Sequence, residues 1–577
     1  MVDPRLLAVA LAVLGALATP TWGQAPVAPV TARAADFDPK PGTAPDPLAP
    51  PEIDRPAPAA PGAPTRVRET KPADEVDPIV ATVRQRLALG LPARAGTSDR
   101  DDHAALVEFY SGAADPIWTS KIGFTVRAAQ AIAEIRKADD WGLKAAAFDL
   151  PEAFPESQAT TEQLAASEIK LGVAVLKYAR HARGGRLDPR SVHRIFDQKP
   201  TIYDPKTLIS AIAVSDAADA YLRDLHPKHP QFEKLRQVLL AARFMKGEHT
   251  SSPSVSPATR SNSEIQRLIV NMERWRWMPV DLGEFYVWDS VPEQMTMVFD
   301  KDKQVLAEKI IVGKPSSPTP IFTADMLLVI FRPSWGVPPG MKAHELWPQL
   351  KNAGGGWFFS SGASAVLKGH DLIVMQGGRP VNPDSINWNN VDIRHYEFTQ
   401  PPGPKNLLGN VKFRFPNKHN VYMHDTPERH LFGGGIGQRV FSHGCMRVQN
   451  PMRLAEVLLA HDKGWDKDKV AEYVRRGGEI KLTTPIPVHI TYFTAWVGGD
   501  GSLEARPDVY AVDSRTASAL EGQSVQVASS PIVTGSTTKS SEPRKNADQQ
   551  PRRTKKAQSK KGSGQFDLFN LFGMSKN

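Results

Sequence analysis

Cysteine is almost absent: Cys445 is the only one in 577 residues. No disulfide can close within the chain, and neither an iron–sulfur cluster nor an all-cysteine zinc site can be assembled from it. Long apolar runs are also scarce. Mean hydropathy is −0.34, and past the N-terminus no run reaches the ~18–20 apolar residues a membrane helix needs, which excludes a multi-span membrane protein. Internal repeats are lacking. The glycines at 433–435 and 437 are not followed by the Gly-Lys-Ser/Thr of a phosphate loop, and they read instead as a tight or mobile loop. Excess charge is confined to one end. Net charge is +9, but residues 514–577 alone carry eleven Lys/Arg against Glu521, Glu542, Asp548 and Asp567. The rest of the chain is near balance, which removes the argument for a basic nucleic-acid-binding domain.

What is present is a 41% hydrophobic share and enough length for two to four domains, at ~100–200 residues each. Residues 1–25 read as a secretory signal: Arg5, an apolar stretch over 6–17 too short to span a bilayer, then Ala16 and Ala18. Residues 26–76 are Pro/Ala-rich and read as a disordered linker. Helical spacing then governs 77–247, in sets such as Ile79-Val83-Leu87 and Val126-Ala129-Ile132, broken by Gly184-Gly185, Pro189, Pro200 and Pro227. This predicts a helical scaffold without a catalytic constellation. A polar linker at 248–263 precedes a helix over 264–278, whose Trp275 and Trp277 read as core or inter-domain packing. From 285 the period becomes two, as in Met295-Met297-Phe299, with a hairpin turn at 300–303. Residues 338–416 are rich in Gly, Pro and Asn without periodicity and read as an irregular lid insertion. Trp335, Trp347 and Trp357 flank or lie in it, as pocket walls or as core beneath a lid. Strand signals return at 421–424 and 440–442, and Asn450-Pro451 opens a helix. The fold class expected is α+β and multidomain: a helical N-terminal scaffold, a mainly β domain over 264–513 with a lid at about 338–416, and disordered termini including a basic tail over 514–577.

Cys445 dominates the chemistry. It stands in Phe441-Ser442-His443-Gly444-Cys445-Met446-Arg447. A thiol attacks as its thiolate, and a free pKa of about 8.5 leaves only a few per cent ionised near neutrality. His424, His443, Arg447 and the helix start at Asn450 are placed to favour the anion. Gly444 permits close backbone approach, so consecutive N–H groups here can form an oxyanion hole. The bland reading is a buried cysteine acting as a small hydrophobe.

Tyr422-Met423-His424-Asp425-Thr426-Pro427 followed by Ser442-His443-Gly444-Cys445-Met446-Arg447 resembles the signature of the L,D-transpeptidase (YkuD) family, and the layout resembles its large YcbB-like branch. The resemblance extends to 271–279, 312–320, 333–339 and 402–416. It implies a peptidoglycan enzyme, exported to the periplasm, without metal or nucleotide cofactor. Cys445 would attack the diaminopimelate carbonyl of a tetrapeptide stem, release D-Ala and pass the acyl group to an amine of a second stem, or alternatively to water as an L,D-carboxypeptidase or to the amine of an envelope protein. His424 would be general base and acid, with His443 a minor alternative for the base. Gly444 and Cys445 would supply oxyanion N–H groups, and His443 and Ser442 would shape the site with Tyr422 beside the substrate. Arg447 would hold a substrate carboxylate or equally brace the loop by a salt bridge. Large members of the family carry a peptidoglycan-binding insert in the scaffold; here 248–263 is too short for one.

Asp425 follows His424 directly, so in a strand it points to the opposite face and does not orient that ring. His419 and His430 read as surface residues. A zinc site from His424, His443 and Cys445 would need two ligands only two residues apart. Papain-like enzymes place Cys before His, and sortases differ in their local motif. A non-catalytic envelope scaffold is the alternative from another class. The basic tail reads as solvated chain, with anionic lipid or envelope proteins as its expected partners and no nucleic acid. The Phe/Leu-rich end at 566–572 reads as a short docking element.

Overall fold

A computed structural model describes residues 76–113, 115–154, 159–248, 257–353 and 362–524, all within one compact unit. The expected signal, nearly all of the Pro/Ala-rich stretch, Trp357 and residues from 525 onward lie outside the described residues.

Helices form where the spacing predicts them: Pro78–Ala88, Thr97–Gly112, Val126–Arg136 and Thr161–Gly184, then Pro205–Ala213 and Ala218–Asp224. Side-chain caps start several of them. Asp77 and Asp204 each stand before a proline at the first helical position and accept from the backbone N–H of Ile79 and Thr207, and Thr160 forms a capping box with Gln163. Val83, Leu106, Leu171 and Val175 fill the scaffold core. Within it the buried Glu168 carboxylate accepts from the N–H groups of Ile117, Trp118 and Thr119 and from the Tyr110 hydroxyl, so an ionisable group serves as a local backbone cap.

The stretch expected as a linker is largely helical at its edges. One helix ends at Glu248 and the next spans Pro257–Arg276. Trp275 packs with Phe232 and Leu235 of the scaffold and with Trp288 and Phe493 of the β domain, and Trp277 meets Phe196. Both tryptophans are inter-domain packing.

The β domain is a nine-stranded sheet. Its strands are β1 (Phe285–Ser290), β2 (Met295–Asp300), β3 (Lys303–Gly313), β4 (Thr323–Phe331), β5 (Val411–Arg414), β6 (Met423–His424), β7 (Val440–Ser442), β8 (Met446–Val448) and β9 (Gly478–Thr491). Their order is β7-β3-β8-β6-β5-β4-β9-β1-β2, and a further β2–β3 pairing closes the sheet on itself. Lys301 and Asp302 take positive φ of 48° and 64° in the β2–β3 hairpin, as a tight two-residue turn demands. Helix Pro451–Lys463 covers the sheet and ends at Gly464 in the left-handed region.

The lid differs from expectation. It is a folded subdomain with helices Trp347–Ala353 and Ala363–Gly369 and its own four-stranded sheet, and Trp335, Leu346, Leu350, Trp388, Tyr396 and Phe398 form its core. Scattered aromatic anchors build that core, so no period betrays it. Its last expected residues are not lid at all: 411–414 are β5, in the middle of the main sheet. The tail also begins later than expected, because Asp513–Leu520 is a helix tied to Arg274 through Asp513.

Candidate active site

Strand register assembles the site. β6 lies parallel to β8, with Met423 opposite Met446 and His424 opposite Arg447, and antiparallel to β5, with His424 opposite Lys412. Side chains alternate across a strand, so the two fully buried methionines enter the core while His424, Arg447 and Lys412 share the other face. One alternation earlier, Tyr422 and Cys445 stand on that same face, joined by the Met446 N–H donating to the Tyr422 carbonyl at 3.1 Å. Two residues far apart in sequence are thereby brought onto one surface.

His424 is buried, and its Nδ1 is 2.5 Å from the Asp425 carbonyl oxygen. A carbonyl only accepts, so Nδ1 carries the proton and Nε2 is the basic nitrogen. The Tyr422 ring packs edge-on against the imidazole at 5.6 Å. Burial, with Arg447 and Lys412 adding repulsion, pushes the pKa of His424 down to about 3. The ring is therefore neutral at physiological pH. Cys445 is half-buried, with Sγ 3.8 Å from the Asn420 carbonyl. Burial pushes its thiol up, and hydrogen bonding from Tyr422 and the charges of Lys412 and Arg447 only oppose that. Of the groups expected to favour the anion only Arg447 acts on the sulfur as a cation, Lys412 joins it unforeseen, and burial outweighs both. The resting pair is neutral thiol and neutral imidazole, from which a proton can pass to Nε2 as the sulfur reacts.

The Ser442-His443-Gly444 turn is braced from within. The Ser442 hydroxyl donates to the Cys445 carbonyl at 2.5 Å and accepts from the Gly444 N–H at 3.2 Å. Gly444, at φ 113°, also presents its carbonyl to the Thr319 hydroxyl at 2.8 Å. The Gly444 N–H is thus spent inside the turn, which leaves the Cys445 N–H as the candidate oxyanion donor. His443 directs Nε2 at the Lys314 ammonium, 3.1 Å away, with Glu345 Oε1 of the lid at 3.6 Å. Lysine only donates, so this nitrogen is an acceptor already engaged. That leaves Nε2 of His424 as the candidate base nitrogen. Arg447 is 3% exposed and forms an ion pair of 2.5 Å with the buried Glu428. That is a brace, and its burial does not suit a substrate carboxylate.

The Asp425 side chain turns away from the imidazole, as alternation requires: it accepts from Asn410 N–H and Thr426 N–H and pairs with Arg429. Its backbone carbonyl orients the ring instead. The glycine loop is pinned: the Arg439 guanidinium donates to the carbonyls of Gly434, Gly435 and Gln294, and the Gly437 N–H donates to Gln294 Oε1. His430 is exposed. His419 is not a surface residue: its Nε2 lies 2.8 Å from Asp197 Oδ2 of the scaffold. Trp335 is lid core, and Trp347 caps the Trp388 carbonyl.

Sequence spacing did not reveal Lys412, Lys314, Glu345, Glu428 or Thr319. Lys412 sets its Nζ 4.0 Å over the Tyr422 ring. Its signal was the alternation Val411-Lys412-Phe413, concealed within a segment read as insertion.

Residues 104–239 match the family described as Scaffold domain, and residues 284–488 match the L,D-transpeptidase catalytic domain, YkuD. The chain carries an L,D-transpeptidase catalytic domain behind a scaffold domain. A putative L,D-transpeptidase of Haemophilus influenzae is 27% identical over 266 residues, which are 46% of this chain and 51% of that protein. The chain thus spans about half the length of this curated relative. An L,D-transpeptidase from Mycobacterium smegmatis is similar at 15% identity and a TM-score of 0.16, over 36% of this chain and 58% of that one. L,D-transpeptidase 1 of Mycobacterium tuberculosis gives 13% and 0.14, over 36% and 61%. His424, Cys445 and Lys412 all fall inside the matched catalytic domain.

Proposed function

We propose that this chain is an exported L,D-transpeptidase that remodels peptidoglycan in the periplasm, with Cys445 as nucleophile and His424 as general base and acid. One observation carries the reading: the β6–β8 register puts Cys445 and His424 on one face, with Nε2 as the basic nitrogen of a neutral ring.

In the first half-reaction the Cys445 thiol gives its proton to His424 Nε2 while sulfur attacks the diaminopimelate carbonyl of a tetrapeptide stem. The Cys445 N–H faces the oxyanion. The bond to D-Ala breaks, and the imidazolium returns the proton to the departing amine, leaving a thioester. In the second, an amine attacks the thioester, His424 takes its proton, and the C–S bond breaks. Starting from a neutral pair means that charge is created during attack. Lys412 and Arg447 are cations placed to offset it.

The test is incubation of the chain lacking residues 1–25 with disaccharide-tetrapeptide, with products followed by mass spectrometry. Cys445-dependent D-Ala release with a cross-linked dimer is expected. Cys445→Ala abolishes it, and His424→Ala lowers the acylation rate by about 10²–10⁴-fold, the usual contribution of a positioned base. A carbapenem adduct on Cys445 is expected by intact mass. No Cys445-dependent product and no adduct would leave the envelope-scaffold reading in its place.

A further inference from the structure

The lid places one carboxylate beside the cysteine turn. Glu345 lies in a π-helical turn, Lys342–Leu346, a rare geometry that recurs at functional sites. Oε1 is 3.6 Å from His443 Nε2, while Oε2 is buried without a hydrogen-bond partner among the described residues. The contact to His443 is too long for a hydrogen bond, and that nitrogen already accepts from Lys314. A simple lid latch therefore leaves the carboxylate unsatisfied, and a buried acceptor without a donor is a standing cost.

The residues around Glu345 hold it firmly. Lys342 donates from Nζ to the Tyr396 carbonyl at 2.7 Å, Leu346 is fully buried in the lid core, and the Trp347 indole N–H donates to the Trp388 carbonyl at 2.9 Å. On the opposite side, Lys314 is anchored by its own N–H to the Ser442 carbonyl at 2.9 Å. His443, two residues before Cys445, thus stands between a fixed cation of the sheet and an anion presented by the lid.

We infer that Glu345 binds the primary amine of the acyl acceptor as it approaches the acyl group on Cys445. The inference rests on the transpeptidase reading and adds the residue that selects an amine over water. Oε1, the oxygen that is not sealed in, faces His443 and takes charge-assisted hydrogen bonds from an ammonium group, and water offers no such charge. The bound ammonium loses one proton to solvent. The second passes to His424 Nε2 as the C–N bond forms and the C–S bond breaks. Sulfur leaves as thiolate and recovers that proton from the imidazolium. Glu345 has no part in forming the thioester, so acylation does not depend on it.

The experiment compares the chain lacking residues 1–25 with its Glu345→Gln and Glu345→Asp variants, using disaccharide-tetrapeptide as donor and acceptor over a range of concentrations. First-turnover D-Ala release reads acylation, and the ratio of cross-linked dimer to hydrolysed tripeptide reads acceptor selection. For Glu345→Gln, release within twofold of the parent is expected, with a dimer-to-tripeptide ratio at least tenfold lower that recovers as acceptor concentration rises. Glu345→Asp is expected to lie between the two. An unchanged ratio overturns the inference, and so does a parallel fall in acylation, which would make Glu345 a structural prop. Absence of Cys445-dependent D-Ala release in the parent overturns the transpeptidase reading itself.

Discussion

Cys445 and His424 share one face as two uncharged groups, so the pH at which the thiol becomes reactive is set by what surrounds it. Burial raises its pKa; the groups that oppose the rise are Tyr422, just before β6, Lys412 of β5 and Arg447 of β8. Arg447 is largely spent on Glu428. On its β4 side Lys412 is in register with Ile330, and its ammonium reaches Tyr422, the residue in step with Cys445. Removing that charge should raise the thiol pKa further. For Lys412→Met, the pH midpoint of Cys445 alkylation by iodoacetamide is expected to move up, and Lys412→Arg should restore it. An unmoved midpoint would show that Lys412 has no electrostatic hold on the sulfur. This measurement needs no peptidoglycan, so it tests the site independently of its substrate. The two central residues were legible because each sits in a compact motif whose chemistry is local. Lys412, Glu345 and Glu428 were not, because strand register and a folded lid bring them in, and neither leaves a fixed spacing in the sequence.

At the scale of elements, the cysteine turn is held by the loop that follows β3. The Gly313 N–H donates to Thr319 Oγ1 at 2.9 Å, that hydroxyl donates to the Gly444 carbonyl, and the Tyr510 hydroxyl donates to the Gly313 carbonyl at 2.8 Å. Space at Gly313 is what permits this. A Cβ there would lie 2.3 Å from the Ser317 carbonyl oxygen and 2.7 Å from the Thr319 nitrogen, both backbone atoms that cannot swing aside. Gly313→Ala is expected to cost about 1–3 kcal/mol, as overpacking does, and to lower acylation because the turn carrying Gly444 shifts. Thr319→Val keeps the volume and removes only the hydroxyl, so it should reduce acylation with a smaller stability loss. Urea midpoints beside D-Ala release rates check both. If Thr319→Val acylates at the parental rate, the loop does not position the turn. The lid shows the limit of reading elements from pattern. Trp335, Trp388 and Phe398 lie 53 and 10 residues apart along the chain yet share one core, and separations of that kind carry no period. β5 was legible as an alternating pair but was assigned to the insertion because its neighbours are glycine and proline.

At the largest scale, the scaffold and the β domain share backbone as well as side-chain contacts among the described residues. The Asp197 N–H donates to the Ile321 carbonyl and the Ile321 N–H to the Ile195 carbonyl, at 2.8 and 2.7 Å. The Asp197 carboxylate pairs with Lys418 and His419 of the β domain. Burial opposes its ionisation, but those two partners hold its pKa down to about 2. Its contribution is complete above the unfolded value near 3.8 and fades as pH falls through about 2, a window of acid denaturation. Asp289, in the middle of β1, works in the other direction. Burial pushes its carboxyl up to about 7. Between pH 4 and 7 the folded chain keeps this proton while the unfolded chain has lost it, so stability falls across that window as pH rises and levels off above it. Asp289→Asn retains the shape and cannot ionise. It should match the parent at pH 4 and exceed it at pH 8 by on the order of 2–4 kcal/mol, with about 1.4 kcal/mol per pKa unit setting the ceiling. Urea unfolding at the two pH values checks this. An equal difference at both would mean that Asp289 titrates the same way folded and unfolded, and that the pH dependence of this fold arises at the scaffold interface instead.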